Sequence, residues 1–319
     1  MSGKRRSWGE KPYRSLDWQL REQFGEKVYK LALNGAMTCP NRDGTVGSGG
    51  CIFCSAGGSG DFAADKRLSV SGQIAAQKQA LASKKPARKY IAYFQAYTNT
   101  YAPVEYLRRI YTEAIRDDEV AVLSVATRPD CLPEDVLELL GELNEIKPVW
   151  VELGLQSMHE ESAAWMRRGY RLSCFERAVR ELRSRNIDVI VHTILGLPGE
   201  DREMILRTMR YLNRQDIQGI KLQLLHILEG TDLGELYRQD PVKYAALTME
   251  EYIDLLLDCL EVLSPEITIH RLTGDGPKDL LIAPLWSTRK RTVLNTIHSE
   301  MKIRDSYQGK RYEDREEET

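Results

Sequence analysis

Three cysteines stand close together in the run Cys39-Pro-Asn-Arg-Asp-Gly-Thr-Val-Gly-Ser-Gly-Gly-Cys51-Ile-Phe-Cys54. Eleven residues separate the first two, and two separate the second pair. A Cys-x-x-Cys step brings two thiolates to one centre from a tight turn. The glycines around it let the backbone wrap a bulky inorganic core. A structural zinc or an electron-transfer cluster asks for four ligands, so three leave one metal position open for chemistry. Zinc, completed by a histidine or by Cys131, is the rival reading of the same trio. Cys131, Cys174 and Cys259 are isolated in the sequence and read as small buried hydrophobes.

Other polar residues share one setting: each follows, or ends, a short apolar run. Gln156 closes Val149-Trp-Val-Glu-Leu-Gly-Leu-Gln, and His192 lies in Val189-Ile-Val-His-Thr-Ile-Leu-Gly. Lys221, Gln223 and His226 share Lys-Leu-Gln-Leu-Leu-His, and His270 and Arg271 follow further on. The apolar runs read as strands over 28–33, 90–95, 120–126, 148–155, 188–195 and 219–225. Between them, helical patterns occupy 73–83, 104–116, 133–145, 173–184 and 202–213. Strands alternating with helices argue for a parallel sheet with helices outside it. Such sheets work at the carboxyl ends of their strands, where the cysteine loop and the polar residues fall. A barrel, full or partial, converges six such loops on one mouth.

The chain has 319 residues, 42 % of them hydrophobic and 29 % charged, with a net charge of −2. That composition excludes a globally basic nucleic-acid binder, yet both ends are locally basic. Lys4, Arg5, Arg6, Lys11 and Arg14 crowd the start, and Arg289, Lys290, Arg291, Lys302, Arg304, Lys310 and Arg311 crowd the end. The basic tail reads either as an RNA-gripping surface or as a solvated helix over the barrel. From Glu313 onward the sequence is acidic and expected to fray. No apolar run approaches a membrane span and no secretory pattern opens the chain, so no membrane role and a cytoplasmic compartment are expected.

Taken together, these motifs resemble the radical S-adenosylmethionine (SAM) superfamily, in the branch usually called YhcC/YtqA, related to the catalytic subunit of Elongator. The likeness runs from about residue 13 to residue 312. It implies an α/β fold, a partial (β/α)6 TIM-like barrel over 28–265. An N-terminal extension over 1–27 and a C-terminal substrate-binding extension over 266–319 would flank it. It also implies a [4Fe–4S] cluster on Cys39, Cys51 and Cys54, with SAM on the open iron. Reductive cleavage of SAM would give a 5′-deoxyadenosyl radical that abstracts hydrogen from substrate. Gln156 would face the ribose or methionine part, and Arg168, rather than Arg167, the methionine carboxylate. His192 would lie near the ribose, and Ile194, Leu195 and Gly196 would receive the adenine. Lys221, His226, His270 and Arg271, with Arg289 and Arg291, are the candidate substrate contacts.

Two features depart from the commonest superfamily pattern. The Cys39–Cys51 gap is expanded, as it is in the Elongator-like branch. The Gly-Gly-Glu element that binds SAM's amino group is replaced here by Phe94-Gln-Ala-Tyr-Thr-Asn-Thr-Tyr101, so that contact has no assigned residue. The resemblance implies tRNA as substrate, at the wobble uridine (U34), converting its carboxymethylaminomethyl side chain to aminomethyl. It brings a flavodoxin- or ferredoxin-type electron donor and a downstream methyltransferase as partners. The competing readings are radical chemistry on a small molecule or peptide, and a non-enzymatic, metal-stabilised RNA-binding module.

Overall fold

Six of the apolar runs form strands where the sequence puts them, to within a residue or so at each end. The computed structural model describes residues 8–58, 60–82, 88–274 and 276–313. Lys4, Arg5, Arg6, Asp275 and the acidic end after Glu313 lie outside the described residues. In chain order the elements begin α1 (Leu16–Phe24), β1 (Val28–Leu33), α2 (Val70–Ala82), β2 (Lys89–Phe94), α3 (Val104–Ile115) and β3 (Val120–Thr127). Next come α4 (Glu134–Asn144), β4 (Val149–Gln156), α5 (Glu160–Trp165), α6 (Leu172–Arg183), β5 (Asp188–Leu195), α7 (Arg202–Leu212) and β6 (Gly219–Leu224). The chain closes with β7 (Ile227–Leu228), α8 (Asp232–Gln239), α9 (Met249–Val262), β8 (Thr268–Arg271), β9 (Leu281–Ala283) and α10 (Lys290–Ile303).

The main sheet has the order β1-β2-β3-β4-β5-β6-β8, with every neighbouring pair parallel. Parallel neighbours need a crossover, and the helices between them supply it on the outer face. The result is a seven-stranded, curled half-barrel. The seventh strand, β8, falls in the segment expected to be a C-terminal extension. Its four residues are too few and too mixed to stand out by pattern, and only pairing with β6 makes them a strand. Its outer edge is covered by the segment before α1, where Ile269 N donates to Arg14 O at 2.7 Å. No helix among the described residues is long and apolar enough to cross a membrane.

Strand side chains alternate between two faces, and this period of two decides what each residue can do. Leu31, Phe94, Val125, Leu153, Val191, Leu195 and Leu222 face the helices and are buried in the outer core. Val28, Ile91, Val122, Trp150 and Ile190 face inward and, with Leu20 of α1, plug the bottom of the half-barrel with apolar side chains. The α1 helix is placed there by its own ends. Ser15 caps its start by accepting from Trp18 N, and Gly25 (φ 75°) ends it in a left-handed turn. Above the plug the inward positions turn polar, and above those lies the cysteine loop. The α9 helix, unassigned by the strand–helix rhythm, starts on a reciprocal Thr248–Glu251 capping box and packs against α7 and α10.

Candidate functional site

After β1 the chain enters the long cysteine loop, which its own backbone folds into a compact knot. Pro40 O accepts from Val46 N at 2.8 Å and Gly47 N at 3.2 Å, and Asn41 O accepts from Gly50 N at 2.7 Å. These bonds turn the expanded gap back on itself, so that Cys51 returns to the cavity that Cys39 lines. A turn bond from Cys54 N to Cys51 O at 3.0 Å sets the third thiol. Asn41 Nδ2 fixes the loop to the protein by donating to Arg167 O at 2.6 Å and toward Cys51 Sγ at 3.5 Å. Arg42 holds the far side through Cys54 O at 3.1 Å. Gly169 (φ +82°) lets the turn after α5 approach closely, since a Cβ there would stand 2.9 Å from Val46.

All three cysteines are free thiols of intermediate exposure. The hydrogen bond with Cys54 brings the Cys51 thiol down to about 7 against the opposing effect of burial, with Arg128, Asn41 and Arg167 helping. The same contact, with burial, pushes Cys54 well up. No three His, Cys, Asp or Glu side chains among the described residues gather tightly enough for a single ion. A cubane does not ask for that, because each of its thiolates meets a different iron.

Below the thiols a cavity of ≈ 470 Å³ descends into the half-barrel, a size suited to a small molecule. Its floor is a charged layer around Glu152, whose side chain is 0 % exposed, built from β1 to β6 with Arg271 of β8 beside it. The carboxylate accepts from Lys30 Nζ at 3.1 Å, Ser124 Oγ at 2.9 Å and His192 Nε2 at 2.7 Å, and is paired closely with Lys221. Lys221 Nζ also donates to Tyr93 OH at 3.1 Å. Burial alone would raise the Glu152 carboxyl, but Lys221, Lys30 and His192 outweigh it and hold the group well below the usual range. Burial, with Lys221 beside it, holds His192 down to about 4, so its ring is neutral and donates through Nε2–H. Burial likewise holds Lys221 well below the usual lysine range, against the pull of Glu152, with Lys30 and Arg271 adding to the depression.

Gln156, Arg168, His192 and Ile194 reach this cavity together with the cysteines, and Lys221, His226 and Arg271 line it too. Arg168 arrives in an unexpected role. It is 2 % exposed, and its guanidinium donates to Leu155 O, Ser157 O and Tyr170 O at 2.7–3.2 Å. Those bonds occupy the fork that was expected to grip SAM's carboxylate. They clamp the residues on either side of Gln156, which holds a φ of 68°. The Gln156 side-chain oxygen is buried in the cavity with no hydrogen-bond partner among the described residues.

Five other expected residues lie elsewhere. Leu195, one position beyond inward-facing Ile194, turns to the helix layer and joins the outer core. Gly196 (φ +84°) packs beneath Leu247. His270 lies edge-on to Trp150 at 5.4 Å and against Gly219, outside the cavity lining. Arg289 and Arg291 are exposed at the start of α10. Lys30, Tyr93 and Glu152 were missed as site residues. The signal was present, since Lys30 and Glu152 are charged residues inside otherwise apolar strands that a parallel sheet buries on both faces.

Comparison with known proteins bears on this arrangement directly. Residues 42–212 match the Radical SAM superfamily, and residues 217–303 match the Radical_SAM C-terminal domain. The chain is 47 % identical to YtqA of Bacillus subtilis (strain 168) over 97 % of its own length and 96 % of that protein. It is 37 % identical to YhcC of Escherichia coli (strain K12), over 86 % of its length and 87 % of that protein. A tRNA uridine(34) acetyltransferase of Methanocaldococcus jannaschii is 24 % identical over 50 % of this chain and 29 % of that one. Among solved structures, the archaeal Methanocaldococcus infernus Elp3 lacking its N-terminus superposes with a TM-score of 0.67 at 18 % identity. That match covers 88 % of this chain and 64 % of the other, and it speaks to the fold. With a superfamily match across residues 42–212 and relatives at 47 % and 37 % identity along most of its length, this chain belongs to the Radical SAM superfamily.

Proposed function

We propose that this radical SAM enzyme acts on the wobble uridine of tRNA, converting a carboxymethylaminomethyl side chain at U34 to aminomethyl. The observation that carries the reading is the sequence relationship to tRNA uridine(34) acetyltransferases across half of the chain. The enzyme uses a [4Fe–4S] cluster and SAM, which when bound and reduced supply a 5′-deoxyadenosyl radical that removes a hydrogen atom from substrate. Cys39, Cys51 and Cys54 would hold the cluster, and the unpartnered Gln156 oxygen fits a donor on SAM. Ile194 offers an apolar surface to a base, and neutral His192, fixed through Nε2 by Glu152, presents its other face to the cavity. Arg168 acts on this site by holding the turn that carries Gln156. The apolar plug closes the bottom of the half-barrel to water. A flavodoxin- or ferredoxin-type protein would supply the electron, and a methyltransferase would act on the aminomethyl product.

The exposed basic face at Arg289 and Arg291 is the surface offered to the tRNA backbone. The test uses anaerobically reconstituted protein with reductant, SAM and tRNA bearing carboxymethylaminomethyluridine, read by mass spectrometry of the nucleosides. Aminomethyluridine appearing in step with 5′-deoxyadenosine supports the reading. SAM cleavage with the nucleosides unchanged sinks it. Replacing Arg289 and Arg291 by Ala is expected to weaken tRNA binding and reduce its salt slope by about 2, with stability changed by less than about 0.5 kcal/mol.

A further inference from the structure

We propose that Arg271, with Lys30 and Lys221, forms a subsite for a carboxylate carried by the substrate. The proposal rests on the reading that this cavity admits a modified uridine side chain, and it names what part of that side chain the floor recognises.

Among the described residues, Lys30, Arg42, Arg128, Arg168, Lys221 and Arg271 line the cavity, against Asp61 and Glu152. Near the mouth the charges are matched or occupied. Arg42 donates to the Cys54 and Ser55 carbonyls, Arg128 pairs with Asp130 at 2.7 Å, and Arg168 is held by carbonyls. Asp61 accepts from Ser55 at 3.1 Å. On the floor, Lys30 and Lys221 share the single carboxylate of Glu152. Among the described residues Arg271 then has no acid of its own. Its hydrogen-bond partner among the described residues is the neutral amide oxygen of Gln223, at the outer limit of 3.5 Å.

Register explains why these groups meet. Lys221 of β6 pairs with Arg271 of β8, past an irregularity that brings Arg271 to the cavity wall beside it. Three basic side chains around one carboxylate leave the floor short of negative charge, in a place where water screens little. Burial is the main cause of the depressed proton affinity of Lys221, and repulsion from Lys30 and Arg271 adds to it. An entering carboxylate relieves that repulsion, and a guanidinium offers that group a planar, two-pronged match. The same cations repel an aminomethyl ammonium, so the subsite separates a carboxylated substrate from its amine product by charge.

The methionine carboxylate of SAM is a second source of the same chemistry, and the test separates the two. SAM-loaded holoenzyme is titrated with 5-carboxymethylaminomethyluridine, its methyl ester and 5-aminomethyluridine, and in parallel with [1-13C]acetate followed by NMR. SAM affinity is measured alongside. Wild type is expected to prefer the acid over the ester by about tenfold or more, Arg271→Gln to bring the two within about twofold, and Arg271→Lys to recover part of the preference. Acetate binding follows the same order. A preference intact in Arg271→Gln overturns the subsite, and so does a parallel fall in SAM affinity, which would place SAM's carboxylate on Arg271. Acetate held by wild type and lost in Arg271→Gln, with the nucleosides undistinguished, keeps the subsite and sinks the uridine reading. Conversion of tRNA by wild type with acetate unbound, and the acid preference intact in Arg271→Gln, does the reverse.

Discussion

The mouth and the floor of the cavity are built on opposite principles. At the mouth, three thiols within sixteen residues of sequence are set by short-range backbone bonds, such as Val46 N to Pro40 O and Cys54 N to Cys51 O. On the floor, Lys30, Tyr93, Ser124, Glu152, His192, Lys221 and Arg271 come from seven strands, and sheet register alone brings them together. The mouth is a half-exposed loop that can accept a bulky inorganic group. The floor is a closed ionic network whose members depend on one another. Loss at the mouth should therefore abolish chemistry and leave the fold intact, whereas loss on the floor should damage both.

The largest effect expected is at the mouth. Changing Cys39, Cys51 or Cys54 to Ala, one at a time, should remove the cluster's visible absorbance after reconstitution and drop 5′-deoxyadenosine to background. The urea midpoint of the cluster-free protein should shift by less than about 1 kcal/mol equivalent. Cys174→Ala, on α6, should retain both cluster and activity. A variant of the trio that still assembles a full cluster would break the comparison, because the loop would then not be the ligand set.

The second effect belongs to the floor. Glu152→Gln removes the one carboxylate that, among the described residues, pairs with Lys30, Lys221 and His192, and leaves the buried Lys221 ammonium without a counter-charge. Breaking a buried pair from one side costs about 3–5 kcal/mol. The measurement is the urea midpoint at constant slope. Adding Lys221→Met to Glu152→Gln should return part of the loss, because the orphaned ammonium goes with it. If the single variant is neutral, water reaches the floor and the network is not closed.

This contrast also explains how much was legible beforehand. The cysteine trio stands out because the chemistry proposed for it lies in spacing along the chain, which a sequence displays. The strands were legible for the same reason, down to Val28–Leu33 and Asp188–Leu195. Which of Ile194 and Leu195 faces the cavity depends on the face of the sheet, and a motif that names both does not decide it. Arg168 illustrates a second limit. A guanidinium suits a ligand carboxylate and three backbone carbonyls equally well, and only the path of the chain around Gln156 chooses between them. Strand β8 was hidden because four residues carry no period of their own, and with it went the pairing of Arg271 to Lys221.

The smallest effect is the most discriminating for the floor. His192 is held down to about 4 by burial and by Lys221, whereas in an unfolded chain it titrates near 6.5. As pH falls below 6.5 the unfolded chain takes up the proton first, so the native state loses stability until the folded group titrates as well. The loss runs from about pH 6.5 to pH 4 and amounts to at most about 3 kcal/mol. Glu152, held well below its usual value, adds to the same acid-side loss at the bottom of that window. His192→Gln keeps a donor toward Glu152 and removes the titration, so its stability should fall less steeply across the upper part of the window. The ring can be followed directly by NMR in histidine-labelled, cluster-free protein. A His192 that protonates near 6.5 would mean a hydrated floor, and the division between an open mouth and a closed ionic base would no longer hold.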